Sequence, residues 1–202
     1  TFIPMAENLG LIRELGEQVW LETLRQGKRW RDMGCVDLKL AVNVSRRQLF
    51  LPSFAATLLE NLEQFNLPPS AIILEITESL ALSDPEFTSK RLEELTKAGF
   101  TLAIDDFGTG YSSLSQLHHM PVSKIKIDIS FVCRVHDPQG AELVQSIIHM
   151  AEAFNLQCVA EGVEDEQTAQ VLQQYGVHIL QGNFFGQPMP AAEIDQHLTD
   201  KC

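Results

Sequence analysis

The sequence lacks the features of several protein classes. No apolar run approaches 18 residues, and nothing at the amino end is typical of a signal peptide, so we expect a soluble protein. Basic residues are few: 15 Lys and Arg stand against 27 Asp and Glu, a formal net charge of -12. A long nucleic acid, which requires a basic face, is therefore excluded as a partner. A small phosphate ester is not excluded, because divalent cations could connect it to carboxylates.

Motifs built on cysteine, histidine or glycine are missing as well. The four cysteines have no CxxC spacing, and the six histidines, including the pair His118 and His119, have no metal-ligand spacing. No predicted strand ends in a GxGxxG or P-loop sequence. We expect the cysteines to be thiols without a chemical role, which fits a reducing, cytoplasmic compartment best.

The sequence does contain a regular alternation of apolar, β-rich runs and helical periods. Six runs predict strands, at residues 37–44, 72–77, 101–105, 124–127, 157–160 and 177–180. Helical spacing and helix-breaking residues predict helices at about 4–28, 46–65 with a break at Pro52, 84–99, 114–119, 140–154, 165–175 and 191–198. The strands show little polar alternation, as expected for a parallel sheet covered by helices on both faces.

Two α/β folds fit this order of elements. A (β/α)8 barrel typically has about 250 residues, so six units in 202 residues predict a TIM-like barrel whose first two strands are missing from this chain. The alternative is an open doubly wound sheet, but no dinucleotide or P-loop motif supports it. Because no linker, repeat or low-complexity tract divides the chain, residues 1–202 are taken as one incomplete domain.

Every predicted strand delivers a charged or amide side chain at or just beyond its carboxyl end. In chain order these residues are Asn43, Glu75 with Glu78, Asp105 with Asp106, Lys126 with Asp128, Glu161 with Glu164, and Gln181. Barrel enzymes build their sites at this rim. Single members have ordinary explanations: Asn43 or Ser45 could cap a helix, and Glu78 could favour a helix amino terminus. All six ends together indicate a functional site.

The residue types at this rim indicate metal chemistry. Carboxylate and amide oxygens are hard ligands, which suit Mg²⁺ or Mn²⁺ better than zinc. The adjacent Asp105 and Asp106 could bridge two ions for attack on a phosphodiester. Without cations, the converging carboxylates would repel one another and raise their own pKa values. Lys126 could hold a water or a developing charge, form an interior ion pair, or serve as a Schiff-base lysine as in aldolases.

Seven runs of this sequence resemble the successive motifs of one family. They are FIPMAE (2–7), VNVS (42–45), LEITES (74–79), DDFGTGYSSL (105–114), KIKID (124–128), VAEGVE (159–164) and QGNFFGQPMP (181–190). In order and spacing they resemble the motifs of bacterial EAL domains, the cyclic di-GMP phosphodiesterases. The resemblance implies a TIM-like barrel and a two-metal hydrolysis of cyclic di-GMP to linear pGpG.

The resemblance also implies a role for each matching residue. Two Mg²⁺ or Mn²⁺ ions would be bound, the first by Asn43, Glu75 and Asp105 and the second by Asp105 and Asp106. Three residues would serve the attacking water, which Lys126 positions and Glu161 helps to activate, with Gln181 close by. Asp128 and Glu164 would hold those groups in place. Glu78 would anchor the Asp106–Ser113 loop, which in the family couples the site to a dimer contact. Candidates for packing against guanine are Phe184, Phe185 and Pro188.

The match is incomplete at the amino end. In the family, the region before FIPMAE contributes two strands, the metal-binding glutamate of Glu-Ala-Leu and an arginine that contacts a substrate phosphate. This sequence starts at Thr1 and contains neither. We therefore expect a longer parent protein with an upstream sensor or GGDEF domain, which could be anchored in a membrane with this domain in the cytoplasm. The alternative to an active, homodimeric phosphodiesterase is an inactive EAL domain that acts as a cyclic di-GMP receptor or regulatory module.

Overall fold

The computed structural model describes residues 5–6, 9–110 and 117–199. Helices and strands alternate along these residues as in an α/β protein. The elements are α1 (Ile12–Asp32), β1 (Leu40–Asn43), α2 (Arg46–Leu49), α3 (Phe54–Gln64), a 3₁₀ turn (Pro69–Ala71), β2 (Ile72–Thr77), α4 (Glu78–Leu82), α5 (Pro85–Lys97), β3 (Thr101–Phe107), β4 (Lys124–Ile127), α6 (Ile129–Val132), α7 (Pro138–Ala153), β5 (Gln157–Ala160), α8 (Glu166–Gln174), β6 (Ile179–Leu180) and α9 (Ala191–Thr199).

The described strands form a six-stranded sheet in the order of the chain, from β1 to β6. Strand β1 runs parallel to β2, and Asn43 lies opposite Glu75 where the two strands pair. Strand β4 runs parallel to β3 and β5, and β5 runs parallel to β6. Most of their buried side chains are apolar, and Ile72, Ile125 and Ile127 are wholly inaccessible to solvent. The predicted α/β class and the predicted six strands are confirmed, because buried parallel strands require long apolar runs.

The chain divides into two compact units. The first comprises residues 1–75, 90–101 and 189–202, and the second comprises residues 76–89 and 102–188. In the first unit, α1 packs against β1, α2 and α3. The carboxylate of Asp195 in α9 accepts hydrogen bonds from Trp30 Nε1 at 2.7 Å and Arg29 Nη2 at 2.5 Å, and so fastens α9 to α1. In the second unit, α7 packs against α6, β4 and β5.

The first helix differs from its prediction. The apolar spacing predicts a helix over residues 4–28, whereas α1 spans Ile12–Asp32 and residues 9–11 form a turn. Gly10 has a φ of +76°, a left-handed conformation that a right-handed helix cannot contain. Within α1 the predicted apolar face is confirmed at Trp20 and Leu24, which are buried, but not at Val19, which is 49% exposed.

Other element boundaries follow local signals. The predicted break at Pro52 is confirmed, because α2 ends at Leu49 and α3 starts at Phe54. Helix α7 begins at Pro138 and not at Gly140, as proline is favoured in the first turn. The short helices α4 and α6 were not predicted as separate elements. Residues 114–116 of the predicted helix over 114–119 lie outside the described residues; of the other three, Leu117 is helical and residues 118–119 form a turn.

The cysteines do not all follow the expectation of free thiols. Cys35 is disulfide-bonded, whereas Cys133 and Cys158 are free. Burial, with the charge of Glu152, raises the pKa of the Cys158 thiol to about 11, which leaves that sulfur unreactive. The expectation for Cys35 is wrong because disulfide pairing depends on proximity in space, which cysteine spacing does not reveal.

None of the described helices has the length and apolar character that a membrane span requires.

Candidate functional site

An acidic cluster lies in the second unit of the chain. Ligand oxygens of Asp105, Asp106 and Glu161 all lie within 4.8 Å of one another. Asp105 and Asp106 belong to β3, and Glu161 directly follows β5, so the strands on both sides of β4 supply the cluster. The predicted convergence of strand-end carboxylates is present for these three residues.

Lys126 of β4 lies between the two flanking carboxylates. Its Nζ is 2.9 Å from Asp105 Oδ1 and 2.8 Å from Glu161 Oε1, and its side chain is 6% exposed. Both contacts are ion pairs between a buried ammonium group and a carboxylate oxygen. The interior ion pair that was one interpretation of Lys126 is therefore what the structure contains. A Schiff-base lysine needs an amine directed at a carbonyl carbon, whereas this Nζ is held between two carboxylates.

Asp106 combines backbone strain with an unfavourable charge environment. Its φ of +54° is uncommon for a residue with a side chain and costs about 1 kcal/mol. Although Asp106 is exposed at the surface, desolvation by neighbouring atoms, followed by repulsion from Asp105 and Asp128, raises the pKa of its carboxyl group. The repulsion that the sequence predicts therefore contributes to the raised pKa of Asp106, after desolvation. Strain and repulsion at one residue are typical of a position that serves a ligand.

The cluster suits a hard divalent cation. Three ionised carboxylates and one ammonium group leave a formal charge of -2, which a single divalent ion would balance. All of the available donors are carboxylate oxygens, the ligands that Mg²⁺ and Mn²⁺ prefer. The residues present therefore fit the metal that the sequence predicts.

Asp128 has a local role that the sequence analysis did not identify. It is the N-cap of α6, and its Oδ1 accepts hydrogen bonds from Ser130 N at 2.9 Å and Ser130 Oγ at 2.5 Å. An aspartate immediately before a short apolar segment is the signal that could have revealed this cap. Its charge still reaches the cluster, since it contributes to the raised pKa of Asp106.

Glu78 holds the backbone of the loop that follows β3. Its side chain is 2% exposed, and its Oε2 accepts hydrogen bonds from Gly108 N at 2.7 Å and Gly110 N at 3.4 Å. The resemblance assigns Glu78 as the anchor of the Asp106–Ser113 loop, and these bonds join it to the first part of that loop. Residues 111–113 of the predicted loop lie outside the described residues.

Replacing Glu78 by alanine is expected to release this loop. Two backbone N–H groups would lose their acceptor, a loss of about 2 kcal/mol of local stability, so the amides of Gly108 and Gly110 should exchange with solvent about 10- to 100-fold faster. Hydrogen–deuterium exchange measures the effect. Glu86→Ala, at an exposed position on α5, is the matched control and should change nothing. Unchanged protection of the two glycines in Glu78→Ala would contradict the anchoring role.

Gln181 and Glu164 lie at the rim, and neither side chain has a partner among the residues that the structure describes. The backbone of Gln181 donates to Ala160 O at 2.8 Å and accepts from Val163 N at 3.0 Å, which fixes the segments on either side of Glu161. Its side chain is exposed. Glu164 is also exposed and makes no hydrogen bond or ion pair with any residue that the structure describes. The roles predicted for these two residues in the metal and water cluster stay predictions.

The predicted guanine-packing residues form an exposed apolar patch. Phe184 and Phe185 are 44% and 56% exposed, and their rings pack edge to face with centroids 5.0 Å apart. Pro188 is exposed nearby in the sequence. Exposed aromatic rings are available for stacking on a base, so the prediction is consistent with their placement, although it stays a prediction.

In the first unit, Asn43 and Glu75 are neighbours at the ends of β1 and β2. They lie opposite each other in the parallel register, and Val44 N donates to Glu75 O at 2.8 Å. Helix α2 is capped by Ser45 and not by Asn43. In this capping box the Ser45 side chain accepts a hydrogen bond from Gln48 N, and the Gln48 side chain accepts one from Ser45 N. Asn43 therefore has no capping role, and its side chain is exposed. Its predicted ligation of a metal ion together with Glu75 stays a prediction.

Comparison with known proteins agrees with the resemblance. A family profile described as "EAL domain" matches residues 1–188. The chain is 41% identical over 194 residues to the bifunctional diguanylate cyclase/cyclic di-GMP phosphodiesterase MucR of Pseudomonas aeruginosa, covering 96% of the chain and 28% of MucR. It is 40% identical over 196 residues to the cyclic di-GMP phosphodiesterase PdeR of Escherichia coli, covering 96% of the chain and 30% of PdeR.

A solved structure titled "PaMucR Phosphodiesterase, c-di-GMP complex" matches with a TM-score of 0.91 and 41% identity, covering 96% of this chain and 78% of that one. The chain thus spans less than a third of the two curated relatives, at 28% and 30%, and most of the solved phosphodiesterase domain. Its parallel α/β architecture is the TIM-like fold of that domain. On the family profile, the two relatives and the shared fold, the chain belongs to the EAL domain family.

Proposed function

We propose that this chain is a metal-dependent phosphodiesterase domain that hydrolyses cyclic di-GMP to linear pGpG. The observation that carries the proposal is the arrangement of Asp105, Asp106 and Glu161 around the ammonium group of Lys126. The names of the relatives MucR and PdeR, and the cyclic di-GMP complex of the structural neighbour, support the choice of substrate.

Each residue of the cluster has a distinct task in this proposal. Asp105 and Asp106 would hold Mg²⁺ or Mn²⁺, with Asn43 and Glu75 as the further ligands that the resemblance implies. The cations, when bound, would supply Lewis-acid chemistry that offsets the charge of the phosphodiester and lowers the pKa of a water molecule. Glu161 accepts a proton from the attacking water, with Gln181 beside it.

Lys126 contributes through its fixed charge. Because its Nζ contacts both Asp105 and Glu161, it orients the two carboxylates towards the same point. An ammonium group held there also attracts the negative charge that develops on phosphoryl oxygens in the transition state. Asp128 and Glu164 remain the proposed supports of these groups, and Phe184, Phe185 and Pro188 the proposed contacts to guanine.

The direct test is to incubate the protein with cyclic di-GMP and Mg²⁺ or Mn²⁺ and to follow pGpG by liquid chromatography. We expect product formation that EDTA abolishes and that added Mn²⁺ restores. Metal-dependent binding of cyclic di-GMP without pGpG would replace the proposal by the receptor function. Absence of both binding and product would overturn it, and borohydride trapping of a carbonyl ligand on Lys126 would indicate an aldolase-type site.

Partners and location remain proposals of the same kind. We propose that the domain works as a homodimer, in which the Glu78-anchored loop contributes to the contact, and in the cytoplasm. The free thiols Cys133 and Cys158 are compatible with a reducing compartment, whereas the disulfide at Cys35 is not typical of one. MucR is named as a bifunctional protein with a cyclase activity, which supports a GGDEF or sensor domain as the neighbour in a longer protein.

A further inference from the structure

The short helix α6 closely follows β4, the strand that carries Lys126. At the end of β4 the backbone contacts both sides of the acidic cluster: Phe107 of β3 lies opposite Ile127, and Glu161 N donates to Ile127 O at 3.1 Å. Helix α6 therefore begins beside the two segments that supply the carboxylates. The proposed hydrolysis gives no task to the apolar side chains of this helix.

The first of these side chains packs on Gly162, the residue directly after Glu161. Gly162 has a φ of +69°, and a Cβ on it would lie 2.2 Å from Ile129 Cγ1 and 2.4 Å from Ile129 Cδ1. The isoleucine thus fills the place of a side chain at position 162 and lies directly against the backbone there. Ile129 is nevertheless 46% exposed, so burial in the core does not account for an isoleucine at this position.

A second side chain of α6 packs in the same way on Gly108, in the loop after Asp106. Gly108 has a φ of +97°, and a Cβ on it would lie 2.7 Å from Phe131 Cε2 and 3.0 Å from Phe131 Cζ. Gly108 N also donates to Glu78 Oε2 at 2.7 Å. The carboxylate of Glu78 and the ring of Phe131 therefore hold the same loop residue through two different contacts.

A closed turn that contacts two segments sets the distance between them. Ile129 and Phe131 lie in the same short helix, and Phe131 N donates to Asp128 O at 3.0 Å, which closes the turn. Because packed protein interiors resist compression, the two side chains transmit the position of the turn to the backbone that they contact. We propose that Ile129 and Phe131 are positioning residues, which hold the two carboxylate-bearing segments at the separation that a divalent cation requires.

This role rests on the proposed function, since it assumes that the acidic cluster binds a metal ion. Groups that orient metal ligands from behind typically change metal affinity about 10- to 100-fold when they are replaced. Calorimetry with Mn²⁺ measures this affinity in the full chain without any turnover. Ile129→Ala and Phe131→Ala should each weaken Mn²⁺ binding about tenfold, whereas Ile129→Val, which keeps the Cγ1 contact, should bind Mn²⁺ as the parent does.

The matched control is an aliphatic residue of similar exposure on another helix. Leu143 of α7 is 43% exposed, and Leu143→Ala should leave Mn²⁺ affinity unchanged. Circular dichroism at the temperature of the calorimetry checks that each variant is folded, and Phe131→Leu replaces Phe131→Ala if the latter is not. Recovery of affinity in Ile129→Val separates positioning of the ligands from a general loss of packing.

Hydrogen–deuterium exchange in EDTA locates the two contacts without metal. Ile129→Ala should speed exchange of the Val163 amide, which donates to Gln181 O at 3.0 Å, about tenfold and leave the Gly108 amide unchanged. Phe131→Ala should have the opposite pattern. Unchanged exchange at both amides would overturn the inference, even in a parent protein that binds no metal.

The calorimetry has its own contrary outcomes. Equal Mn²⁺ affinity in the parent, Ile129→Ala and Phe131→Ala would overturn the inference, and so would an equal loss of affinity in Leu143→Ala. Failure of the proposed function has a different signature, because a parent protein that binds Mn²⁺ and forms no pGpG would contradict the hydrolysis while the affinities of the variants still decide the positioning role.

Discussion

Replacing Asp105 by asparagine is expected to lower the rate of cyclic di-GMP hydrolysis by a factor on the order of a thousand. Asp105 contacts Lys126 at 2.9 Å and lies within ligand distance of Asp106 and Glu161, so its charge serves both the lysine and the proposed metal ions. Asparagine keeps the shape and one oxygen but removes the negative charge. The rate of pGpG formation at saturating Mn²⁺ measures the effect.

Mn²⁺ binding gives a second readout that does not depend on turnover. Asp105→Asn should weaken Mn²⁺ binding, followed by calorimetry, at least tenfold, because a neutral amide is a poorer ligand for a hard cation. Asp137→Asn is the matched control: Asp137 is 53% exposed, pairs with Arg134 near the surface, and should leave rate and affinity unchanged when replaced. Near-normal turnover in Asp105→Asn would count decisively against Asp105 as a metal ligand.

The strands and the site could be predicted because both depend on local, repeated signals. Buried parallel strands need apolar runs, and the runs at Ile72–Thr77, Lys124–Ile127 and Gln157–Ala160 coincide with the observed strands to the residue. Since parallel strands end at one rim, the carboxylates that follow them must lie near one another. The cluster of Asp105, Asp106 and Glu161 is the outcome of that rule.

The remaining features depend on backbone conformation or on pairing across space. Gly10 could have been a helical residue, and only its positive φ explains why α1 begins at Ile12. The left-handed conformation of Asp106 has no sequence signal beyond the turn-forming residues after it. The disulfide at Cys35 depends on what lies beside the side chain in the fold.

The same dependence on pairing explains Lys126, for which the sequence left three interpretations open. Its position on β4 between the ends of β3 and β5 could be predicted from strand order alone. Which carboxylates it contacts could not, because the reach of a lysine covers several neighbours. The two contacts below 3 Å show that its charge is paired with Asp105 and Glu161. A variant without this ammonium group therefore tests how the fold tolerates the adjacent carboxylates of Asp105, Asp106 and Glu161.

Replacing Lys126 by methionine is expected to destabilise the metal-free protein by about 3 kcal/mol. Methionine preserves an unbranched side chain, so the main loss is the ammonium group between Asp105 and Glu161, whose side chains are only 13% and 17% exposed. Two largely buried carboxylates would then face each other without a counter-charge. Urea unfolding in EDTA measures the change. Lys97→Met, which removes an ion pair at a lysine that is 78% exposed, should cost at most about 0.5 kcal/mol.

Mn²⁺ should restore much of the stability lost in Lys126→Met. A cation that binds the folded state stabilises it by about 2.7 kcal/mol at a concentration of one hundred times its Kd. It should raise the melting temperature of Lys126→Met more than that of the parent, because the ammonium group no longer repels the incoming ion. Hydrolysis should nevertheless stay low, since the charge that stabilises the transition state is gone. A Lys126→Met protein that is as stable as the parent in EDTA, and gains no more from Mn²⁺, would show that the lysine does not balance these carboxylates.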